Sequence, residues 1–399
     1  MMKLLIFLIP ILAIASHTKT VIPNQYIVKG AEFIVGKKIR SLGNSVFLIR
    51  TNEKIKVDNI NVFHNYQYTG EFKETKVNSS KSNDALFVDQ KHHLLINSTE
   101  AWKITKGSKK IIVAVTDNEF EMDHDDLKHA WWKNINEIPG NGIDDDQNGY
   151  IDDVSGWDFV THDNNPDVEE GPTHGTHVSG IIAASLNNKI GGSGIAPNVT
   201  IMPLRWYGDE RSWNTALVVE TYRYAIENGA NIINTSYNID PLVEDPAYLD
   251  VIQYAKENEV IIFNSAGNDR KKDPPRGVIK DIVLVCSVRN SKERHFDKKS
   301  GFSNYGSEID VCAPGDPILS TVQRRYQGLS RYGELEGTSM SSPVAAAVAA
   351  LIWSHYPQMK AAEVVKKLIE SADNIDAKNR SKYKGLLGSG RVNALEALR

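Results

Sequence analysis

Residues 337–352 read GTSMSSPVAAAVAALI, and the rest of the chain is organised around this segment. Small apolar residues that follow a Pro in the first turn predict the start of a buried helix. Ser339 then lies at the helix N-terminus, where unpaired backbone N–H groups and the helix dipole favour negative charge. An acyl-transfer nucleophile needs this environment because its attack on a carbonyl creates an oxyanion. The alternative interpretation is that Ser339 is only an N-cap.

Composition limits the classes of protein that this chain can be. Its 399 residues are 41% hydrophobic, which suffices for one large core and a second, smaller unit. The formal net charge of −4 and the lack of a long Lys/Arg run give no support for nucleic-acid binding. We expect a monomer.

The first 15 residues have the pattern of a secretory signal peptide. A basic start at Lys3 precedes a short apolar run and the small-residue string Ala13-Ile14-Ala15. This pattern predicts a secreted, extracellular protein without a membrane anchor, and an uncleaved anchor is the alternative. An oxidising compartment would permit a disulfide between Cys286 and Cys312 if their strands are neighbours, and two buried thiols are equally compatible with the sequence.

Two domains follow the predicted signal peptide. Residues 16–83 contain short apolar runs and end in a polar stretch from about residue 68, which predicts a small α+β domain followed by a flexible linker. Residues 84–399 alternate continuous apolar runs with helical patterns, which predicts an α/β three-layer sandwich around a mainly parallel sheet. The expected strands are 111–115, 199–204, 232–234, 260–263 and 282–285, and the expected helices are 215–228, 246–258 and 361–372.

Two further polar residues lie where strands of this sheet should end, and a third opens a helix. Asp117 follows the run 111–115, and Asn268 follows the run 260–263. In parallel α/β sheets, function gathers at the carboxyl ends of the strands. His174 opens the helical string His174-Gly175-Thr176-His177-Val178, which lacks the Glu of a zinc-protease helix. These residues can supply a carboxylate, an amide donor and a base.

In the order Asp117, His174, Asn268 and Ser339, each within its own motif, the chain resembles the subtilisin-like serine proteases from about residue 83 to the end. The resemblance implies that Ser339 attacks a peptide carbonyl while His174 removes its proton. It also implies that Asp117 orients His174 and that Asn268 binds the oxyanion. It further implies that residues 16–83 are a propeptide that inhibits the enzyme until it is cleaved between about residues 68 and 83.

The chain departs from the family pattern at two places. Asn118-Glu119 stands where the family has a Gly after the catalytic Asp, which places a charged side chain near the triad and puts a positive φ in doubt. The substrate-binding string Ser236-Tyr237-Asn238 has Asn where the family has Gly, so we expect a reshaped primary specificity pocket. A catalytically weak or inactive subtilisin-like fold that serves as a binding or regulatory protein is therefore the alternative function.

An acidic loop over residues 141–153 predicts a structural calcium site. Oxygen ligands alternate around a Gly turn as in the first half of an EF-hand loop, but Ser155 stands where the closing Glu belongs. Asp153 is the nearest substitute, and a solvated acidic loop without an ion is the alternative. The predicted ligands are Asp144, Asp146, Asn148, the Tyr150 carbonyl and Asp152.

Overall fold

A computed structural model describes residues 18–29, 37–41, 46–50, 61–69 and 82–399, except 168–172, 208–214, 292 and 324–330. The predicted signal peptide and most of the predicted linker lie outside the described residues. The chain divides into two compact units, Met1–Lys76 and Val77–Arg399. Among the described residues, no helix combines the length and the apolar character that a membrane crossing requires.

The first unit contains a four-stranded antiparallel sheet in the order β2-β3-β1-β4. The long strand β1 lies in the interior of the sheet and pairs with both β3 and β4. The helical part of the predicted α+β domain lies outside the described residues. The strands are β1 (Thr18–Lys29), β2 (Lys37–Ser41), β3 (Val46–Arg50) and β4 (Asn61–Thr69).

The second unit is built on a seven-stranded sheet in the order β11-β10-β9-β8-β5-β7-β6, in which every pairing is parallel. This confirms the predicted parallel sheet. The chain adds β7 on one side of β5 and β8 on the other, so β5 is the switch point where ligand sites form in such sheets. The strands are β5 (Ile112–Asp117), β6 (Trp157–Asp158), β7 (Thr200–Arg205), β8 (Ile232–Thr235), β9 (Ile261–Ser265), β10 (Val283–Arg289) and β11 (Val311–Asp316).

Helices cover both faces of this sheet and complete the three layers. They are α1 (His92–Leu95), α2 (Ser98–Ala101), α3 (His174–Ala183), α4 (Thr215–Glu227), α5 (Pro246–Glu257), α6 (Thr338–His355) and α7 (Ala361–Glu370). Val113 and Val115 of β5 pack in one core with α3, α6 and α7, whereas Ala114 packs in a second core with α4 and α5. This alternation follows from the two-residue period of a strand.

Helix α6 is buried on all sides, as its composition predicts. Its residues Met340–Trp353 are all buried, because Ala and Val side chains let the helix lie directly against the sheet. The helix begins at Thr338, so Pro343 lies in its second turn and not, as predicted, in its first. A separate two-stranded sheet, β12 (Ile318–Thr321) with β13 (Tyr332–Leu335), precedes α6.

The structure decides between the two interpretations of the cysteines. Cys286 of β10 and Cys312 of β11 are direct partners in the register of the two parallel strands. Both are fully buried and are joined as a disulfide. The bridge therefore links neighbouring strands near the edge of the central sheet.

Candidate active site

The carboxyl end of β5 and the start of α3 bring Asp117 and His174 together. Nδ1 of His174 lies 2.8 and 2.9 Å from the two carboxylate oxygens of Asp117. Asp117 is fully buried, and the His174 side chain is 23% exposed. Gly175 permits this approach, because a Cβ there would lie 2.4 Å from the Glu119 carbonyl oxygen and 3.0 Å from Cβ of Asp117.

The carboxylate controls the charge of the imidazole. Burial lowers the pKa of His174, but the attraction and the hydrogen bond of Asp117 outweigh burial, so that the pKa rises above its usual 6.5. Asp117 also accepts hydrogen bonds from the Asn118 backbone N–H at 2.8 Å and from the Tyr207 hydroxyl at 3.4 Å. Because Nδ1 faces the carboxylate, the other ring nitrogen, Nε2, is the one that can take a proton from a nucleophile.

The departure at Asn118-Glu119 creates no backbone conflict. Neither residue has a positive φ, so the glycine that the family carries there is not required by this conformation. Asn118 Oδ1 accepts the N–H of Gly175 at 3.3 Å, which satisfies one of the free N–H groups at the start of α3. Glu119 is buried beside the pair, with 2% of its surface exposed.

Ser339 lies in the first turn of α6 and is held by Ser236. The Ser339 hydroxyl donates to the Ser236 carbonyl at 2.9 Å, and the Ser236 hydroxyl donates to the Ser339 carbonyl at 2.8 Å. The second bond has a clear cause: Pro343, four residues further along α6, has no N–H to donate to the Ser339 carbonyl. Ser236 follows β8, the neighbour of β5, so Ser339 lies beside the strand end that carries Asp117.

Within the described part of the chain, no hydrogen bond joins Ser339 Oγ to His174. The hydroxyl donates to the Ser236 carbonyl instead. Catalytic hydrogen bonds are often long or misaligned in the absence of substrate and tighten when substrate binds. Transfer of the Ser339 proton to His174 would require the hydroxyl to leave the Ser236 carbonyl and turn to Nε2 of His174.

Asn268 presents a free amide beside Ser339. Its Oδ1 accepts both the backbone N–H and the hydroxyl of Thr338, each at 2.9 Å, which turns Nδ2 outward. A Cβ built on Gly337 would lie 3.4 Å from Nδ2 of Asn268 and 3.6 Å from the backbone nitrogen of Ser339. The amide nitrogen of Asn268 and the backbone nitrogen of Ser339 therefore lie close to one point beside Gly337, and two N–H donors placed in this way can bind an oxyanion.

The three predicted substrate-binding residues have different surroundings. Ser236 is buried, and Tyr237 is half-buried with its hydroxyl 3.2 Å from Thr116 Oγ1 and 3.1 Å from the Tyr222 hydroxyl. Asn238 is exposed, and its Oδ1 accepts a hydrogen bond from the buried guanidinium of Arg276. Nothing in the sequence around Arg276 signals this contact, and sequence analysis missed it.

His177 is a structural residue of α3. Its Nε2 lies 3.0 Å from the Ile318 carbonyl oxygen and 3.2 Å from that of Gly333. Burial, with a smaller contribution from His174, lowers the pKa of His177 to about 3. The ring therefore stays neutral and ties α3 to the two-stranded sheet.

The acidic loop gathers three carboxylates that overlap the predicted set in part. Oxygens of Glu137, Asp146 and Asp153 all lie within 4.8 Å of one another. Asp146 belongs to the predicted set, Asp153 is its predicted substitute ligand, and Glu137 is new. The Asp144 carboxylate accepts the N–H groups of Asn148 and Gly149, as the Asp152 carboxylate does for Asn141 and Gly142. Asp144 and Asp152 lie outside this group of three carboxylates, whereas the side-chain amide of Asn148 donates to Asp146 at 3.3 Å and to Asp153 at 2.9 Å.

The tightness of this group suits a hard cation. Three carboxylates this close repel one another unless a positive charge intervenes. Asp146 and Asp153 also accept the side-chain amide of Asn134, each at 2.8 Å. The sequence gives no signal for Glu137 because it precedes the loop pattern and reaches the group only through folding.

The known proteins to which this chain is similar are peptidases. A profile of the subtilase family of peptidases matches residues 108–390. Thermitase of Thermoactinomyces vulgaris is 32% identical over 306 residues, which are 76% of this chain and 93% of thermitase. The halolysin-like extracellular serine protease Nep of Natrialba magadii is 31% identical over 313 residues, which are 78% of this chain but 52% of that protein.

A further relative and a solved structure, both of proteases, are also similar to this chain. A thermophilic serine proteinase of Bacillus sp. strain AK1 is 30% identical over 299 residues, and the match covers 75% of this chain and 64% of that protein. The chain thus spans less than two thirds of this protein and of Nep. A protease structure from Pseudoalteromonas arctica PAMC 21717 superposes with a TM-score of 0.61 and 25% identity, over 80% of this chain and 98% of that one.

Proposed function

This chain belongs to the subtilase family, the subtilisin-like serine proteases, and from that premise we propose that it is a secreted endopeptidase whose acyl-enzyme forms on Ser339. The observation that carries the proposal is the paired contact of His174 Nδ1 with both oxygens of a buried Asp117, at 2.8 and 2.9 Å. A buried carboxylate in this position fixes the tautomer of the imidazole and stabilises the imidazolium.

The reaction follows from the chemistry of these groups. Ser339 Oγ attacks the carbonyl carbon of the peptide while Nε2 of His174 takes the hydroxyl proton. The carbonyl oxygen becomes an oxyanion, which the Asn268 amide and the Ser339 N–H stabilise. His174 then gives the proton to the leaving amine, whose C–N bond breaks to leave an ester on Ser339. Water, deprotonated by His174, hydrolyses that ester and regenerates the hydroxyl.

We further propose that residues 1–15 direct export and that residues 16–83 are an inhibitory propeptide. The signal-type sequence and the word "extracellular" in the name of the relative Nep support export. The antiparallel sheet of the first unit and the separation of the two units after Lys76 support a distinct prosegment. Cleavage between about residues 68 and 83 would release it.

A structural calcium ion at the acidic loop completes the proposal. Glu137, Asp146 and Asp153 would hold it, and the ion would relieve the repulsion among these carboxylates. The role is stability rather than chemistry, because none of these residues contacts Asp117, His174 or Ser339 through a hydrogen bond within the described residues.

N-terminal sequencing of the exported protein tests this function. Wild type and Ser339→Ala are expressed identically, and the new N-terminus of each is determined. We expect wild type to begin between about residues 68 and 83, and Ser339→Ala to keep the prosegment. Identical processing of both, together with no peptide hydrolysis by wild type, would favour an inactive binding protein.

A further inference from the structure

Basic side chains are concentrated on one surface of the second unit, although the formal net charge of the chain is −4. Three segments form this basic surface: residues 270–272, 294–299 and 378–384. The last segment reads KNRSKYK, with four basic residues and no acidic one. Within the described part of the chain, the following cations of these segments are exposed and form no ion pair with a carboxylate: Arg270, Lys271, Arg294, Lys298, Lys378, Arg380, Lys382 and Lys384.

Short contacts join the three segments into one surface. The Tyr305 N–H donates to the Lys271 carbonyl at 3.0 Å, and the Lys299 N–H donates to Oδ1 of Asn379 at 2.8 Å. The Tyr305 and Tyr383 rings pack edge to face with their centroids 4.8 Å apart. Nζ of Lys299 lies 5.4 Å from the centre of the first ring and 5.1 Å from that of the second. The two tyrosines and Lys299 therefore hold the segments together.

Lys299 shows that the cations act on a common point. Burial lowers its pKa to about 8, with smaller contributions from the positive charges of Lys382, Arg270 and Arg289. Lys382 and Arg270 come from segments that are more than a hundred positions apart in the sequence. Their electrostatic fields overlap at Lys299, so the surface has a shared positive potential.

The carboxylates beside the basic surface are mostly neutralised by other cations. Three of them form ion pairs: Asp273 with Lys272 at 3.6 Å, Asp297 with Arg391 at 2.8 Å and Asp316 with Arg289 at 3.4 Å. Two more described carboxylates, those of Asp269 and Asp376, are too few to cancel the exposed cations. The surface therefore attracts anionic groups, over a distance of about 10 Å at 0.1 M salt.

The basic surface begins next to the candidate active site. Arg270 is the second residue after Asn268, so their Cα atoms are at most about 7.6 Å apart. Asn304 fixes the stretch between them, because its Oδ1 accepts the N–H groups of Asp269 and Lys271 at 3.0 and 2.8 Å. An extended polypeptide covers about 3.3–3.6 Å per residue. A substrate whose carbonyl oxygen is held by the Asn268 amide can therefore reach this surface within a few residues.

We propose that the basic surface is an exosite, a substrate-binding surface outside the cleft, that captures acidic segments of polypeptide substrates. This inference rests on the proposed protease function and gives that function a substrate class: polypeptides with a run of Asp or Glu several residues from the cleaved bond. Attraction between such a run and the exposed cations speeds the encounter, so kcat/KM is the quantity that changes. The continuity of the surface with Asn268 favours a polypeptide over other polyanions.

Substrates with charged tails test the proposal. Each has the same cleavable core and a tail of about ten residues rich in Glu or in Lys, placed at either end of the core. The processed wild type hydrolyses them at low salt and at about 0.5 M NaCl. We expect the Glu tail to give about tenfold higher kcat/KM than the Lys tail at low salt, at one end at least, and less than about twofold at high salt. Equal values for the two tails at both ends would overturn the proposal.

Two double variants assign the effect to this surface. Arg380→Glu with Lys384→Glu reverses two exposed cations of the segment 378–384, and we expect the advantage of the Glu tail to fall about threefold or more. Lys106→Glu with Lys110→Glu is the matched control, because it changes the net charge equally at exposed positions that precede β5, at the opposite edge of the sheet from Asp117. The control should keep most of the advantage. Equal effects of the two double variants would overturn the proposal.

A binding measurement separates the exosite from the protease function. A fluorescent oligomer of about ten D-Glu residues, which a protease for L-peptides does not cleave, is titrated with wild type and with both double variants. Anisotropy should report binding at low salt that weakens about tenfold in Arg380→Glu with Lys384→Glu but not in the control. Binding without hydrolysis of any peptide would remove the protease function and keep the surface. Hydrolysis without binding would overturn the exosite and keep the protease. Binding of a sulfated polysaccharide together with no effect of the tails would also overturn the proposal.

Discussion

Asp117 determines at which pH His174 is neutral and able to act as a base. Its carboxylate raises the pKa of His174 against the effect of burial, so kcat/KM of wild type should fall as pH drops through a value above 6.5. Asp117→Asn removes the cause that raises the pKa and leaves burial, which lowers it. We expect the acidic limb of the kcat/KM profile to move to lower pH while kcat drops about 10⁴-fold.

The measurement is a pH profile of kcat/KM for both proteins on one peptide. Tyr207→Phe is a useful control, because it removes only a 3.4 Å contact to the same carboxylate. It should shift the limb much less than Asp117→Asn. An acidic limb that stays in place in Asp117→Asn would show that another group limits activity.

A functional residue can be predicted from the sequence when its polar side chain follows a strand pattern or opens a helix pattern. Asp117, His174, Asn268 and Ser339 all lie at such ends, and the pattern predicts each position. Arg276 and Glu137 are different, because their importance comes from contacts made by folding. Arg276 contacts Asn238, which lies 38 positions away in the sequence. No local sequence pattern predicts a contact over that separation.

At the scale of elements, the start of α6 depends on a side chain from the loop after β8. Pro343 leaves the Ser339 carbonyl without a helical donor, and Ser236 supplies one at 2.8 Å. Ser236→Ala leaves this half-buried carbonyl without its protein donor, so we expect the free energy of unfolding to fall by about 1 kcal/mol. Urea denaturation of the Ser339→Ala form, which cannot digest itself, measures the change.

The matched control keeps the hydroxyl. Ser236→Thr in the same Ser339→Ala background retains the donor and should recover part of the lost stability. If Ser236→Ala is as stable as its parent, then water or another donor satisfies the carbonyl, and Ser236 does not hold the helix start.

The acidic loop around Glu137, Asp146 and Asp153 is the element that calcium should stabilise. A chelator would remove the ion, and at a hundredfold excess over Kd the lost binding corresponds to about 3 kcal/mol and to a Tm decrease of roughly 5 °C. Asp153→Asn should reduce the response to calcium. Asp145→Asn, in the same loop but outside the three-carboxylate group, is the control. If neither the chelator nor added calcium changes Tm, the loop has no calcium site.

The alternation of apolar runs and helical patterns suffices to predict the layers and the parallel sheet. It does not predict the strand order, which depends on pairings such as β5 with β8 across more than a hundred residues. The calcium prediction shows the same limit. The loop pattern identifies Asp146, but it gives no signal for Glu137, which precedes the loop and joins Asp146 and Asp153 only in the folded chain.

For the whole molecule, buried neutral histidines predict sensitivity to acid. Burial lowers the pKa of His93 and of His124 to about 4 each and that of His177 to about 3. Because these folded-state values lie below the unfolded value of 6.5, their stability contribution is complete above pH 6.5. It is lost as pH falls toward 4 and below.

His93 offers the simplest test. Its ring contacts Ser98 Oγ at 2.7 Å and the Ser193 carbonyl at 3.0 Å, and its lowered pKa corresponds to about 3 kcal/mol at low pH. His93→Gln should flatten the decrease of Tm between pH 6.5 and 4 relative to the exposed control His355→Gln. Parallel Tm curves for the two variants would mean that His93 titrates normally in the folded protein.

We expect Asp117, His174 and Ser339 to act as one catalytic unit in the folded protein. A fluorophosphonate probe reacts with a serine only when its base is in place. Mature wild type should become labelled once per molecule, and peptide mapping should find the label on Ser339. His174→Ala should label at least about 10³-fold more slowly. Absence of label in folded, mature wild type, or equal labelling of His174→Ala, would show that Ser339 and His174 do not work together as nucleophile and base.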